Sequence, residues 1–162
     1  MYNRGEIRKF GIFPKDGDEK MNYTSVMLNN YSSLRTVIRQ FDKIVQKEAM
    51  RSHFNGRQDA GSAYDHAFKV VKYVHKKQKL IDLHNITTRA INSLNREDKT
   101  IIYFRFVLRA ENEQMMKRFS FSQRTLYRRI CTAQKSFESV LVSQGYDQNW
   151  FDKNYKQENW MN

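Results

Sequence analysis

At 162 residues the chain is long enough for one substantial core, or for a small domain with a helical extension, and too short for two large domains. Its 40% hydrophobic and 14% aromatic content, broken by a single proline, excludes a disordered chain and favours a helix-rich fold. Twenty-nine Lys and Arg against 17 Asp and Glu leave a net charge of +12, which favours a polyanionic partner, nucleic acid first; no apolar run reaches the roughly 18 residues of a membrane span.

Residues 1–22 carry Gly5, Gly11, Pro14 and Gly17 around the charged run Lys15 to Lys20 and lack sustained periodicity, so they are expected to form a flexible arm. Within it, Ile7 to Phe13 can pair as a short strand. From Thr24 the pattern changes. Met27, Tyr31, Leu34, Ile38, Phe41 and Val45 recur at spacings of four and three, predicting an amphipathic helix of about 25 residues whose apolar face serves a core or a dimer equally. Arg35, Arg39, Lys43 and Lys47 fall on another stripe, the usual pattern of a solvated face.

Residues 53–62 concentrate Gly, Asn, Asp and Ser and read as a connection between helices. In the next predicted helix Tyr64, Phe68, Val71, Val74 and Ile81 form the apolar stripe, while Lys69, Lys72, Lys76, Lys77 and Lys79 make a dense positive surface. Lys76 and Lys77 are the candidates there for contact with DNA phosphates. Asn85 and Thr87 are an expected break, after which Ile86 to Leu94 resumes helical spacing. Residues 23–94 thus make a basic N-terminal helical region.

The most informative stretch, residues 95–143, divides into three helical pieces. The first, from Arg96 to about Arg109, opens on Glu97 and Asp98, which suit a helix N-terminus, and turns Ile101, Phe104 and Leu108 inward. A short piece from Glu113 to Phe119 follows, with Met115 and Phe119 four apart. Ser120-Phe121-Ser122 is then a turn in which Phe121 plugs the core and Ser122 caps the last helix.

That last helix buries Leu126, Ile130, Ala133, Phe137 and Leu141 and presents a polar face, as major-groove reading requires of a recognition helix. Gln123, Arg124 and Arg128 are the candidates for base edges or nearby phosphates, because Arg and Gln form bidentate contacts there. Thr125, Tyr127, Arg129 and Lys135, with the capping Ser122, are the candidates for the DNA backbone. Cys131, the single cysteine, is expected as a packed thiol beside the apolar stripe.

Leu94-Asn95-Arg96-Glu97-Asp98-Lys99 leading to Ile101-Ile102, a short helix, and Phe121-Ser122-Gln123-Arg124-Thr125-Leu126-Tyr127-Arg128 resemble region four of bacterial sigma factors. The Ser-x-Arg-Thr-x-Tyr-Arg string before a long terminal helix is similar to the ArpU and RinA group of phage late transcription regulators. The resemblance covers about 50 residues and implies an all-α protein whose N-terminal helical region precedes a sigma-region-four-like helix-turn-helix. It further implies an activator of phage or prophage late genes that binds double-stranded promoter or operator DNA and contacts bacterial RNA polymerase. One departure is Ser120, which stands where such motifs often have a turn glycine.

Two alternatives stay open: a small alternative sigma factor, and a small terminase-like packaging protein. The lysine-rich exposed side of residues 24–94 lacks the aromatics that capture unstacked bases, which favours the activator. No enzyme is expected, since the chain has no phosphate-cradling glycine loop and no nucleophile elbow. His53, His66, His75 and His84 are too dispersed for a metal site and are expected mostly at the surface; no cofactor is implied. Residues 144–162 form a tail dense in aromatics, Tyr146, Trp150, Phe151, Tyr155 and Trp160, suited to intramolecular docking or to a partner. A lone cysteine and a start without an apolar run make the bacterial cytoplasm, near the nucleoid, the expected location.

Overall fold

A computed structural model describes residues 22–54 and 60–156. The expected arm and its short strand, and Trp160, lie outside them. The described residues are all helical, with six α-helices: α1 (Tyr23–Phe54), α2 (Ala60–Asn92), α3 (Arg96–Ile102), α4 (Asn112–Phe119), α5 (Gln123–Ser143) and α6 (Gln148–Phe151). α3 and α6 each continue into a wider π-helical turn, Tyr103–Val107 and Asp152–Lys156. Among these residues no helix is long and apolar enough to cross a membrane.

α1 extends over 32 residues, longer than its apolar periodicity predicts, because no proline or glycine interrupts it before Phe54. It starts where Asn22 Oδ1 accepts the Thr24 backbone N–H at 3.1 Å and the Thr24 hydroxyl at 2.6 Å. α2 runs without a break through Asn85 and Thr87, contrary to the expected interruption. The reason is packing: Thr87 is fully buried and Ile86, Ala90 and Ile91 continue the buried face, so tertiary contacts override the weak helix preference of Asn and Thr.

The chain divides into two compact units, one comprising the described residues up to Ser32 together with those from Ile86 onward, the other Ser33–Asn85. In the second unit α1 and α2 run antiparallel, as their successive contacts show. Arg35 Nε donates to His84 Nε2 at 3.3 Å, the Phe41 and Tyr73 rings lie 6.4 Å apart, Lys77 pairs with Asp42, and His66 Nδ1 lies 3.8 Å from Glu48. Leu34, Val37, Leu80 and Leu83 are buried. So is His84, whose pKa burial and the adjacent Arg35 guanidinium push below 6.5, the neutral ring serving as the acceptor. Tyr64, Phe68, Val71 and Val74 of the expected apolar stripe are instead exposed, so the outward side of α2 carries aromatics, contrary to the expectation of a purely lysine-rich surface.

In the first unit α5 packs on α3 and α4. The aromatic tail docks onto the first turns of α1. Tyr23 donates its hydroxyl to the Tyr146 carbonyl at 3.1 Å, its ring lies 5.8 Å from Phe151, and Phe151 stacks on Tyr155 at 5.3 Å. Trp150 stands edge-on to Tyr146 and Tyr155. Burial, with the carboxylates of Glu138 and Asp147, pushes the Tyr23 phenol up to about 12. Of the two roles open to the tail, its described part takes the intramolecular one.

Candidate nucleic-acid interface

The helices that carry α5 are capped by their own side chains. Asn95 Oδ1 accepts the Asp98 N–H at 2.8 Å and its amide donates to the Asp98 carboxylate at 2.8 Å, starting α3 with two acidic residues at its positive end. After Ile102 the hydrogen bonds lengthen in register: Leu108 N–H reaches the Tyr103 carbonyl at 3.0 Å. This π-helical turn rotates the following residues. Phe106 is therefore buried, while Leu108, expected on the inward stripe with Ile101 and Phe104, is 52% exposed.

α4 begins where the Gln114 side chain accepts the Glu111 N–H at 3.2 Å. It ends at Ser120, which adopts the left-handed conformation, φ 53° and ψ 39°. Here Phe121 N–H closes onto the Met116 carbonyl at 3.1 Å, a helix ending that favours glycine. The serine accepts the geometry that the missing glycine brought into question. Aromatic contacts hold the turn. Phe121 stacks on Phe119 at 5.6 Å, Phe104 meets Phe119 edge-on at 5.6 Å, and the Arg118 guanidinium lies 4.4 Å from the Phe104 ring centre. Met115 is buried as expected.

Ser122 starts α5, its Oγ accepting the Thr125 N–H at 3.3 Å. The five residues expected inward, Leu126, Ile130, Ala133, Phe137 and Leu141, are all buried. This stripe fixes the helix about its axis, so the opposite face is set by geometry alone. Arg124, Arg128 and Lys135 are exposed on it, and Gln123, the first residue of the helix, is exposed at its N-terminal end, on the side of the apolar stripe.

The remaining candidates are more engaged. Thr125 Oγ1 lies 2.9 Å from Ser122 Oγ, the Tyr127 hydroxyl accepts from Asn112 Nδ2 at 3.1 Å, and Arg129 pairs with Glu97 of α3 at 3.2 Å. Both partners of the last pair are about half exposed, so it steadies Arg129 more than it stabilises the fold. In the other unit Lys77 is turned toward α1 by Asp42, and Lys76 is half-buried.

Two features of the face escape a stripe-based reading. Cys131 is exposed, not packed. It follows Ile130 by one residue, about 100° around the helix, which carries it off the apolar stripe and into the row Arg124, Arg128, Cys131, Lys135 at spacings of four, three and four. The row itself was the available signal. Asn112 is the second: it bonds Tyr127 and accepts from Arg105 Nη1 at 3.4 Å, tying the start of α4 to α5. Nothing in its sequence context marks that role.

No protein family matches the chain, and neither does any characterised protein or solved structure.

Proposed function

We propose that this protein is a sequence-specific double-stranded DNA-binding transcription regulator, with α4, the turn Ser120 to Ser122 and α5 as its helix-turn-helix and α5 as its recognition helix. The observation that carries the proposal is the exposed row Arg124, Arg128 and Lys135, with Gln123 exposed at the start of the same helix, whose opposite face is buried against α3 and α4. Two arginines one turn apart suit bidentate contacts to guanine, and a glutamine beside them suits adenine.

The resemblance of Ser122 to Arg128 to the phage late regulators narrows the proposal to an activator of phage or prophage late genes, with RNA polymerase as a further partner. Charge adds a division of labour. Seventeen basic and nine acidic residues precede position 96, against ten and five in residues 96–143. Much of the nonspecific attraction to DNA therefore comes from outside the recognition helix, which is left chiefly to choose the sequence.

Selection of bound duplexes from a random pool with the purified protein tests this. The expected outcome is one enriched motif. Arg124→Ala and Arg128→Ala should each weaken binding to it by about 1 to 3 kcal/mol and relax the preference at a particular base pair. Unchanged affinity and preference in both variants would remove α5 from the role of reader.

A further inference from the structure

The Tyr127 hydroxyl is held on the flank of α5 by a chain of hydrogen bonds whose direction is set at its far end. Arg105 Nη1 donates to Asn112 Oδ1 at 3.4 Å, and Asn112 Nδ2 donates to the Tyr127 hydroxyl at 3.1 Å. A guanidinium can only donate, so the Asn112 oxygen must face Arg105 and its NH2 group must face Tyr127. The tyrosine oxygen is thereby made an acceptor, and its own proton points away from Asn112. Among the described residues no hydrogen bond takes up that proton, and the side chain is 47% exposed. Tyr127 follows Arg124 by three residues, which makes the two neighbours on the helix surface, and lies about 100° around the helix from the buried Leu126. It therefore stands at the border of the outward row, not in its middle.

We propose, resting on the reading of α5 as the recognition helix, that Asn112, oriented by Arg105, is a positioning residue that aims the Tyr127 hydroxyl as a donor at one phosphate oxygen of the bound DNA. When a helix enters the major groove, the middle of its outward row meets the base edges on the floor, and its border meets the walls, which are the phosphate strands. A hydroxyl left with only its proton to offer suits an oxygen that only accepts. A phosphate oxygen is such a group, whereas base edges present donors as well as acceptors. The hydroxyl is pinned from the first residue of α4, so a phosphate held there fixes how α4 and α5 together sit on the duplex, the register-setting role of backbone contacts. Neither Arg105 nor Asn112 lies on α5, and the spacing of that helix gives no sign of them.

The test uses the full-length protein, the duplex recovered by selection and a duplex of mixed sequence. Tyr127→Phe removes the hydroxyl alone and should weaken binding to both duplexes roughly tenfold, the size of a hydrogen bond to a charged group. The selected motif and the slope of affinity against salt should not change, since a phosphate carries no sequence and a neutral donor releases no counterion. Single phosphates of the selected duplex are then replaced by neutral methylphosphonates. At one position the replacement should weaken the parent roughly tenfold more than it weakens Tyr127→Phe, and Asn112→Ala should reduce that excess to about threefold. Asn112→Ser repeats the measurement should Asn112→Ala disturb the helical circular dichroism signal. A hydroxyl that merely ties α4 to α5 leaves parent and Tyr127→Phe equally sensitive at every phosphate, and that result overturns the proposal. Full affinity of Tyr127→Phe for a motif that Arg124→Ala alters also overturns it, and leaves α5 as the reader. A motif indifferent to Arg124→Ala and Arg128→Ala removes the reader, while the parent's excess sensitivity at one phosphate still upholds the contact. Absence of binding to any duplex overturns both.

Discussion

α5 and the first half of α2 are both amphipathic and both basic, and they are mounted in opposite senses. In α5 the apolar stripe is buried and the positive side chains face outward; in α2 the stripe from Tyr64 to Val74 faces outward and Lys77 is drawn in toward α1 by Asp42. Periodicity reveals that a helix has an apolar face but not what covers it. Where a helix has two such faces, only the packing partner decides. The inner side of α2 is satisfied by Tyr73, Leu80 and Leu83, which leaves the outer stripe without an intramolecular partner among the described residues of its unit.

The largest expected effect separates the two stripes by stability. Phe137→Ala empties a fully buried site in α5 and should cost about 3 to 5 kcal/mol in denaturant unfolding. Phe68→Ala removes an exposed ring and should stay within about 0.5 kcal/mol of the parent. Equal losses in the two variants would mean that the outer face of α2 is covered within the protein. Next in size is the turn that aims α5. Ser120→Gly relieves a left-handed backbone at a residue with a Cβ, and should stabilise the protein by about 1 kcal/mol with no change in the duplex motif selected. Destabilisation instead would assign the serine side chain a role of its own.

The smallest effect is read along pH, in the α1 and α2 pair. Folded His84 has its pKa below 6.5, so the unfolded chain binds a proton first as the medium is acidified. Stability should therefore be flat above about pH 6.5 with respect to this group and fall as pH drops below it. His84→Gln should flatten that limb of the curve. A wild-type curve that rises on acidification through this range would contradict a neutral, Arg35-bonded ring.

Much of the candidate interface was legible in the sequence. The five buried residues of α5, the Ser122 cap and the acidic start of α3 follow from spacing and cap chemistry. Leu108 was not legible, because a π-helical turn shifts the register inside an otherwise regular helix and leaves no mark in the periodicity. The uninterrupted course of α2 past Asn85 was hidden for a different reason: the buried Thr87 face outweighs local preference. His84 shows the same limit, since a buried histidine needs a partner, Arg35, that is 49 positions away in the chain. Periodicity places Arg129 and Lys77 among the outward charges, yet Glu97 and Asp42 engage them through contacts that only the fold brings together.

The central claim is that the outward row of α5 lies against DNA, and the chain carries its own reporter for it. Cys131 is the single cysteine, is exposed, and shares the row with Arg124, Arg128 and Lys135. The rate of its alkylation can be followed by mass spectrometry with and without the duplex recovered by selection. Bound duplex should strongly protect the thiol, and a scrambled duplex at the same concentration and salt should protect it far less. Alkylation at an unchanged rate on a protein shown to be saturated with its duplex would place the reading surface elsewhere.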